Sequence, residues 1–196
     1  SSWHAERYVR FVQWGVFSPI FRPHDGGNQD TRIWTFSEPV YTILRDCTRL
    51  RGSLLPYVYT LAARTFNESW PAIRPMWFDY DTRSAGSLDL STQYMFGHVL
   101  VHPATSWNSS TVTVATWVPP GQWTTWSGNH TLTGPQNVTS TLALHDIVLL
   151  VQAGTMIPLH PPGRRQSNTR TLVPTIRKKK ETQKEEEKKR SKKGAE

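Results

Sequence analysis

Lysine is missing from most of this sequence. None occurs before position 178, and all eight lie between Lys178 and Lys193. Residues 1–163 hold ten arginines and ten acidic residues, so that part of the chain is neutral. The pI near 9.9 is therefore a property of the tail, and it says little about what the folded part binds.

Cysteine and long apolar runs are also scarce. The single Cys47 excludes an internal disulfide and does not fix the redox compartment. The sequence shows no signal peptide and no apolar run of membrane-spanning length. It begins at Ser1 and reads as the middle of a longer protein, so we expect a fragment in which missing targeting signals carry no weight.

Four Asn-x-Ser/Thr glycosylation acceptors are present, three of them in loop-like sequence: Asn67, Asn108, Asn129 and Asn137. One or two would be expected by chance in a chain rich in serine and threonine. Four favour the secretory pathway, with the lysosome, the extracellular space and the endoplasmic reticulum left open.

The first 70 residues have helical periodicity. Apolar residues at spacings of three and four predict a helix over residues 5–15, and Pro19-Ile-Phe21 fits a short buried strand. A second apolar face runs from Val40 to Leu61. Pro56 interrupts it, which predicts a kink or two helices that meet, with Ser53 as a possible cap of the second.

After Pro71 the pattern changes to short strands separated by turn residues. The segments are AIRPMWFDYD, QYMFGHVLVHPA, TVTVATWV, GQWTTWSG and STLALHDIVLLVQAGTMIPLH. They predict a small antiparallel sandwich. From Pro161 the chain is polar and of low complexity, and we expect a disordered tail or a solvated helix there.

Several of these blocks, taken in order, resemble one enzyme family. The run YVRFVQWGVFSPIFRPH is followed by RIWTF, LRGSLLPYVYTLA, RPMWFDYD, QYMFG, GQWTTWSG and HDIVLLVQAGTMIPLH. Together they resemble the C-terminal third of family 31 glycoside hydrolases, the α-glucosidase and α-xylosidase family. The resemblance covers residues 6–160.

The resemblance implies an α/β plus β fold. Residues 1–70 would form the C-terminal end of a (β/α)8 catalytic barrel, residues 71–163 the proximal C-terminal β-sandwich domain, and residues 164–196 a disordered basic tail. The parent would be a retaining, exo-acting α-glycosidase that acts on an α-linked oligosaccharide or glycoside. No cofactor or metal is implied, because the family chemistry uses carboxyl groups and water.

The stretch FSPIFRPHDGG is the place where the resemblance puts a substrate contact. Active sites of barrel enzymes lie at the C-terminal ends of the strands. PIFRPH would be the last barrel strand, and in the family the histidine of its Arg-x-His motif binds sugar hydroxyls, which implies this role for His24. Arg22 lies on the same side and would make a structural ion pair or orient a carboxylate, while Asp25 is interpreted as a turn residue.

No catalytic residue is assigned within the chain. A retaining glycosidase needs two carboxyl groups about 5 Å apart, and the resemblance places both upstream of Ser1. We therefore expect the chain alone to be inactive and to depend on an upstream barrel. The alternative is a non-catalytic carbohydrate-binding or structural remnant. The sugar specificity is left open.

Three weaker signals have simpler explanations. His98 and His102 could begin a zinc site, but no third ligand is near in sequence and ordinary sheet histidines are favoured. Trp123 and Trp126 could stack on a sugar, yet packing of the sandwich against the barrel is favoured. The basic tail could bind nucleic acid, but it carries five acids and no aromatic residue, so this remains a remote alternative.

Overall fold

The structure, a computed structural model, describes residues 2–24, 31–106 and 111–161. Three long helices come first: α1 (Ser2–Val16), α2 (Val40–Ser53) and α3 (Leu55–Glu68). A short helix, α4 (Met76–Asp79), follows the first strand. The strands are β1 (Ile73–Pro75), β2 (Tyr94–Phe96), β3 (Val99–His102), β4 (Thr111–Thr125), β5 (Thr131–Ala143) and β6 (Val148–Gln152).

The helices follow the predicted periodicity. Helix α1 buries Val9, Val12 and Val16, which are spaced by three and four and so share one face. Two separate helices meet at Leu54, as predicted for the region around Pro56. Proline is tolerated there because it lies in the first helical turn, where its missing N–H has no intrahelical partner to lose.

The expected role of Ser53 as a helix cap is wrong. Leu54 occupies the N-cap position of α3, and no side chain there bonds to a backbone N–H of the helix. The hydroxyl of Ser53 instead donates to the carbonyl of Leu50 at 2.7 Å. Ser53 is still the last residue of α2, where a hydroxyl bonds back to the preceding turn of its own helix.

The strands form one antiparallel sheet in the order β1-β2-β3-β6-β4-β5. The antiparallel pairing predicted from the sequence is confirmed. The segment expected to be a single strand from Gln93 to Ala104 is a hairpin, with β2 and β3 joined by a turn at Gly97 and His98. Gly97 has φ of +61°, which suits glycine and reverses the chain.

One further strand prediction is corrected between β1 and α4. Only Ile73–Pro75 of the segment AIRPMWFDYD is extended, and Met76–Asp79 form a helical turn. This turn brings the Asp79 carboxylate back to Arg74, whose Nε donates to it at 2.8 Å. The helical turn therefore gives the buried Arg74 side chain a carboxylate partner.

The central strands are buried on both faces. Met95, Leu100 and Leu150 are register partners on one face, and they pack with Trp117 and Trp123 of the long β4 strand. Phe96 and Val99 belong to the opposite face and pack against residues of α1 and α3. Burial on both sides explains why β3 is a continuous apolar run rather than an alternating one.

The predicted strand at Pro19-Ile-Phe21 is not formed. The structure assigns no strand to residues 20–24, and the Ile20 side chain is 83% exposed. A parallel barrel strand needs hydrogen-bonded neighbours, and the described residues provide none for this segment. The ring of Phe21 instead packs against Gly15 of α1.

Some predictions fall on residues outside the described ranges. They include the disorder expected for residues 164–196, the turn role of Asp25 and the acceptor Asn108. Within the described part, no helix has both the length and the apolar character that a membrane crossing requires.

Candidate functional site

The segment that carries Arg22 and His24 begins at the C-terminal end of α1. The last carbonyl groups of a helix have no intrahelical partner and must be satisfied in another way. The N–H of Phe17 donates to the carbonyl of Trp14 at 3.2 Å, and that of Ser18 to Gly15 at 3.2 Å. The carbonyls of residues 16–19 accept their bonds from more distant side chains.

Arg51 of α2 satisfies three of these carbonyls. Its guanidinium donates to the carbonyl oxygens of Val16 at 2.8 Å, Ser18 at 2.5 Å and Pro19 at 2.9 Å. Arg51 is buried, and burial lowers its pKa from the ordinary value. An arginine keeps its charge in proteins, and its planar fork of donors suits several carbonyl acceptors at once.

Tyr94 of β2 satisfies the remaining carbonyl. Its hydroxyl donates to Phe17 at 3.2 Å, and the carbonyl of Trp14 lies 3.5 Å from the same hydroxyl. Burial raises the pKa of Tyr94, so the hydroxyl keeps its proton at neutral pH. A side chain of the sheet thus binds the end of α1.

Phe21 keeps the segment against α1. Its ring lies so close to Gly15 that a Cβ added there would be 3.0 Å from the ring. The guanidinium carbon of Arg51 lies 5.9 Å from the ring centroid of Phe21. Glycine at position 15 therefore permits a close approach of the chain that leads to the next two polar residues.

Arg22 and His24 are exposed and contact each other. An Nη2 hydrogen of Arg22 points to Nδ1 of His24, with 3.3 Å between the two nitrogens. Arginine can only donate, so Nδ1 must be the acceptor and the neutral ring carries its proton on Nε2. That N–H points away from the arginine bond and can donate to a hydroxyl oxygen of a bound molecule.

Seven acidic side chains of the described part have local partners. The pairs are Asp79 with Arg74, Asp81 with Arg83, Asp46 with Arg45, Glu68 with Arg64, Asp146 with the Ala143 N–H, Asp89 with Ser91, and Glu38 with Thr42. In each case the partner is at most five residues away in sequence. This pattern indicates structural roles rather than two carboxyl groups that face one substrate.

The histidines weighed as a zinc pair have protein partners. His102 is buried between the hydroxyls of Thr116, 2.9 Å from Nδ1, and Thr92, 3.0 Å from Nε2. His98 Nδ1 lies 3.2 Å from Oε1 of Gln152. Among the described residues, no group of three or more histidine, cysteine or acidic side chains could hold a metal ion.

The two tryptophans weighed as sugar platforms pack inside the protein. Trp123 is fully buried, and its indole N–H donates to the carbonyl of Pro119 at 2.9 Å. Trp126 is half-buried and meets the ring of Phe17 edge-on, with 6.0 Å between centroids. Trp126 therefore joins the sheet to the end of α1, and Trp123 cannot stack on a sugar in this arrangement.

Three of the glycosylation acceptors lie in the described part, and all three are exposed. Only Asn129 lies in a turn, between β4 and β5. Asn67 belongs to α3 and Asn137 to β5, where its amide is 3.4 Å from the carbonyl of Ala85. The loop-like character expected of these sites therefore holds for one of the described three.

Two family models match most of the chain. The glycosyl hydrolases family 31 TIM-barrel domain matches residues 2–61, and the glycosyl hydrolase family 31 C-terminal domain matches residues 69–157. Together they cover α1, α2, the first half of α3 and the sheet, in the order that the sequence predicted.

The chain belongs to glycoside hydrolase family 31. Among its curated relatives, neutral alpha-glucosidase C of Mus musculus is 31% identical over 163 residues. That match covers 79% of this chain and 17% of the relative. An alpha-xylosidase of Saccharolobus solfataricus is 32% identical over 160 residues, which cover 80% of this chain and 21% of the relative. The chain thus spans about a fifth of the length of these family 31 proteins.

Solved family 31 structures share the fold. A dextranase of Flavobacterium johnsoniae in complex with isomaltotriose has a TM-score of 0.75 and 29% sequence identity, and the match covers 87% of this chain and 21% of the dextranase. An alpha-xylosidase of Xanthomonas citri has a TM-score of 0.71 and 30% identity over 81% of this chain and 17% of its own. The prediction of a barrel end followed by antiparallel β-structure is confirmed.

Arg51 and Tyr94 were not singled out by the sequence analysis. Arg51 carried a usable signal, because it lies four residues after Cys47 and three before Leu54, on the apolar stripe of the helix. A charge in such a position indicates a buried cation with a specific partner. Tyr94 gave no comparable signal, since tyrosine is common in strands.

Proposed function

We propose that this chain provides the end of the catalytic barrel and the C-terminal domain of a retaining, exo-acting α-glycosidase. In this proposal His24 donates its Nε2–H to a hydroxyl of the sugar, and Arg22 holds the imidazole in the matching tautomer. The paired geometry of Arg22 and His24, exposed in the part of the chain that the family 31 barrel matches, carries the proposal.

The catalytic carboxyl groups are assigned to the upstream barrel. Retaining hydrolysis uses one carboxylate as nucleophile and a second carboxyl group as acid and base. Seven described carboxylates serve local contacts, and the family resemblance assigns the reactive pair to residues before Ser1. We therefore expect no turnover of aryl α-glucosides or maltose by residues 1–196 alone.

Exposed apolar side chains support the need for an upstream partner. Phe11 and Trp14 of α1 are 61% and 41% exposed, and their ring centroids lie 5.7 Å apart. Large apolar side chains clustered on one surface mark a contact with another protein part. The proposed occupant of this surface is the remainder of the barrel.

The secretory pathway remains the proposed location. It rests on the exposed acceptors Asn67, Asn129 and Asn137. The family 31 relatives come from mammals and from an archaeon, so their distribution does not decide the compartment.

A hybrid enzyme tests the sugar-binding role. Residues 2–161 replace the matching segment of the Flavobacterium johnsoniae dextranase, and hydrolysis of isomaltotriose is measured for His24 and for His24→Gln. We expect His24→Gln to lower kcat/KM by about 10- to 100-fold, the cost of one or two lost hydrogen bonds to the substrate. His130→Gln, in an exposed turn between β4 and β5, is the matched control.

The outcome separates the proposal from its alternative. If His24→Gln has the same kcat/KM as the unchanged hybrid, His24 does not bind the sugar. Should the hybrid fail to fold, residues 17–24 alone replace the matching segment of the dextranase, and His24 is compared with His24→Gln in that protein. Equal kcat/KM for the two contradicts the proposal.

A further inference from the structure

The carbonyl groups between the end of α1 and Arg22 are held from two directions. Arg51 of α2 binds those of Val16, Ser18 and Pro19, and Tyr94 of β2 binds that of Phe17. Four consecutive carbonyls are therefore bound by two side chains that are 32 or more residues away in sequence. One of the two comes from the sheet rather than from the barrel helices.

We propose that Tyr94 and Arg51 are positioning residues, which fix the segment that carries Arg22 and His24, so that the C-terminal domain takes part in sugar binding. This inference rests on the proposed sugar contact of His24. Neither side chain touches the sugar in the proposal. Each acts through the backbone of residues 16–19.

Tyr94 is well placed for such a role because its own position is fixed. It lies in β2, where it is paired with Pro75 of β1 on one side and with Val101 of β3 on the other. Its hydroxyl projects from a rigid strand to the carbonyl of Phe17. A shift of that carbonyl would break the bond, so the sheet defines where the chain leaves α1.

Two prolines restrict the backbone between the bound carbonyls and His24. Pro19 and Pro23 fix their own φ angles and restrict the residues before them. Phe21 adds a third constraint through its packing at Gly15. Few free torsions separate the bound carbonyls from Arg22, so its bond to His24 depends on where those carbonyls are held.

The test reads the tautomer of His24 in the 196-residue chain. Nitrogen-15 spectra of ¹⁵N-histidine-labelled protein at pH 8, where an ordinary imidazole is neutral, distinguish Nε2–H from Nδ1–H rings, and His24→Gln assigns the signal. We expect Nε2–H for the wild type and a mixture of tautomers for Tyr94→Phe and Arg51→Lys. Tyr94→Phe removes only the hydroxyl, and Arg51→Lys keeps the charge but loses the planar fork.

Tyr57→Phe is the matched control. Its hydroxyl belongs to the same interface of helices and sheet but binds Phe96 and His98 rather than residues 16–19. It should lower stability without changing the His24 tautomer. Equal tautomer ratios in Tyr94→Phe, Tyr57→Phe and the wild type overturn the inference, and so does a wild-type ring that is already a mixture.

Kinetics of the hybrid enzyme separate this inference from the proposed function. If His24→Gln raises KM and Tyr94→Phe raises it by about fivefold or more, as expected for a misplaced hydrogen-bond donor, both hold. If His24→Gln raises KM and Tyr94→Phe does not, the positioning role fails and the sugar contact stands. If His24→Gln leaves KM unchanged, the proposed function fails. The tautomer spectra alone then test whether Tyr94 positions the segment that carries Arg22 and His24.

Discussion

The hydroxyl of Tyr57 occupies the space that a side chain at Gly97 would need. It donates to the carbonyl of Phe96 at 2.9 Å and accepts the N–H of His98 at 2.7 Å, so it bridges the turn between β2 and β3. A Cβ at position 97 would overlap this hydroxyl and lie 2.7 Å from Cδ2 of Leu61. Helix α3 and the sheet therefore fit together only because residue 97 has no side chain.

Gly97→Ala should destabilise the chain strongly. Alanine in a left-handed backbone conformation costs about 1–2 kcal/mol. Displacement of Tyr57 adds the loss of its two hydrogen bonds, so we expect the free energy of unfolding to fall by more than about 2 kcal/mol. Gly128→Ala is the control, because Gly128 also has positive φ, +76°, but open space at its Cβ. Thermal unfolding measures both, and equal losses would show that the contact with Tyr57 contributes nothing.

Tyr57→Phe should lower the free energy of unfolding by about 1–3 kcal/mol. The substitution leaves the buried carbonyl of Phe96 and the N–H of His98 without their partner. Tyr59→Phe serves as the control, since Tyr59 is 79% exposed on the same helix. Urea unfolding at pH 7 measures the difference, and similar values for the two variants would contradict the bridging role.

The same hydroxyl predicts a loss of stability at high pH. Burial raises the pKa of Tyr57 from 10.0 to about 12. Because the unfolded chain releases this proton first, the contribution is complete below pH 10 and is lost as the pH rises towards 12. The limiting slope is about 1.4 kcal/mol per pH unit. Wild-type stability should fall more steeply than that of Tyr57→Phe between pH 10 and 12, and parallel profiles would refute this.

Asp79→Asn should cost about 3–5 kcal/mol, because it leaves the Arg74 guanidinium buried without a counter-charge. Arg74 is 2% exposed and also donates to the carbonyls of Pro71 at 3.0 Å and Gly97 at 2.8 Å, while its guanidinium carbon lies 3.3 Å from the ring centroid of Trp70.

Asp81→Asn is the matched control for this ion pair. Asp81 pairs with Arg83 at the surface, two residues further along the chain, and we expect little change in stability there. Chemical denaturation compares the two variants. An Asp79→Asn protein as stable as Asp81→Asn would mean that the buried pair contributes no net stability.

Trp123→Ala should cost about 3–5 kcal/mol, since it removes a fully buried ring and the bond of its N–H to Pro119. Trp77→Ala is the comparison, because the Trp77 side chain is 70% exposed. Thermal unfolding of both chains gives the measurement. A small decrease in stability for Trp123→Ala would contradict the packing role of Trp123 and would favour a role at the surface.

The helical and strand patterns were predictable where the periodicity was strong. Val9, Val12 and Val16 repeat at helical spacing, and α1 forms with these residues buried. The strand predicted at Ile20 failed for a different reason. A short apolar run shows only that its residues can be buried. Whether it forms a strand depends on a neighbouring strand with which it can hydrogen-bond.

The candidate site was predictable only in part. Residues Arg22 and His24 followed from a motif resemblance and from the alternation of side chains, and the structure places them in contact. Their supports, Arg51 and Tyr94, lie 29 and 72 residues after Arg22 in sequence. No local pattern states which carbonyl a distant side chain will reach, so these supports became visible only in three dimensions.

The sequence alone determined the neutral, lysine-free body, the helical faces, the strand pattern and the family to which the blocks belong. These properties depend on composition and on the local order of residues. Side chains on one face recur every two residues in a strand and every 3.6 residues in a helix, so the faces are visible in the sequence. The tertiary structure decided that Arg51 and Tyr94 converge on residues 16–19 and that Gly97 admits the Tyr57 hydroxyl. Such contacts join residues far apart in the chain, and only the packing of helices against the sheet sets their distances.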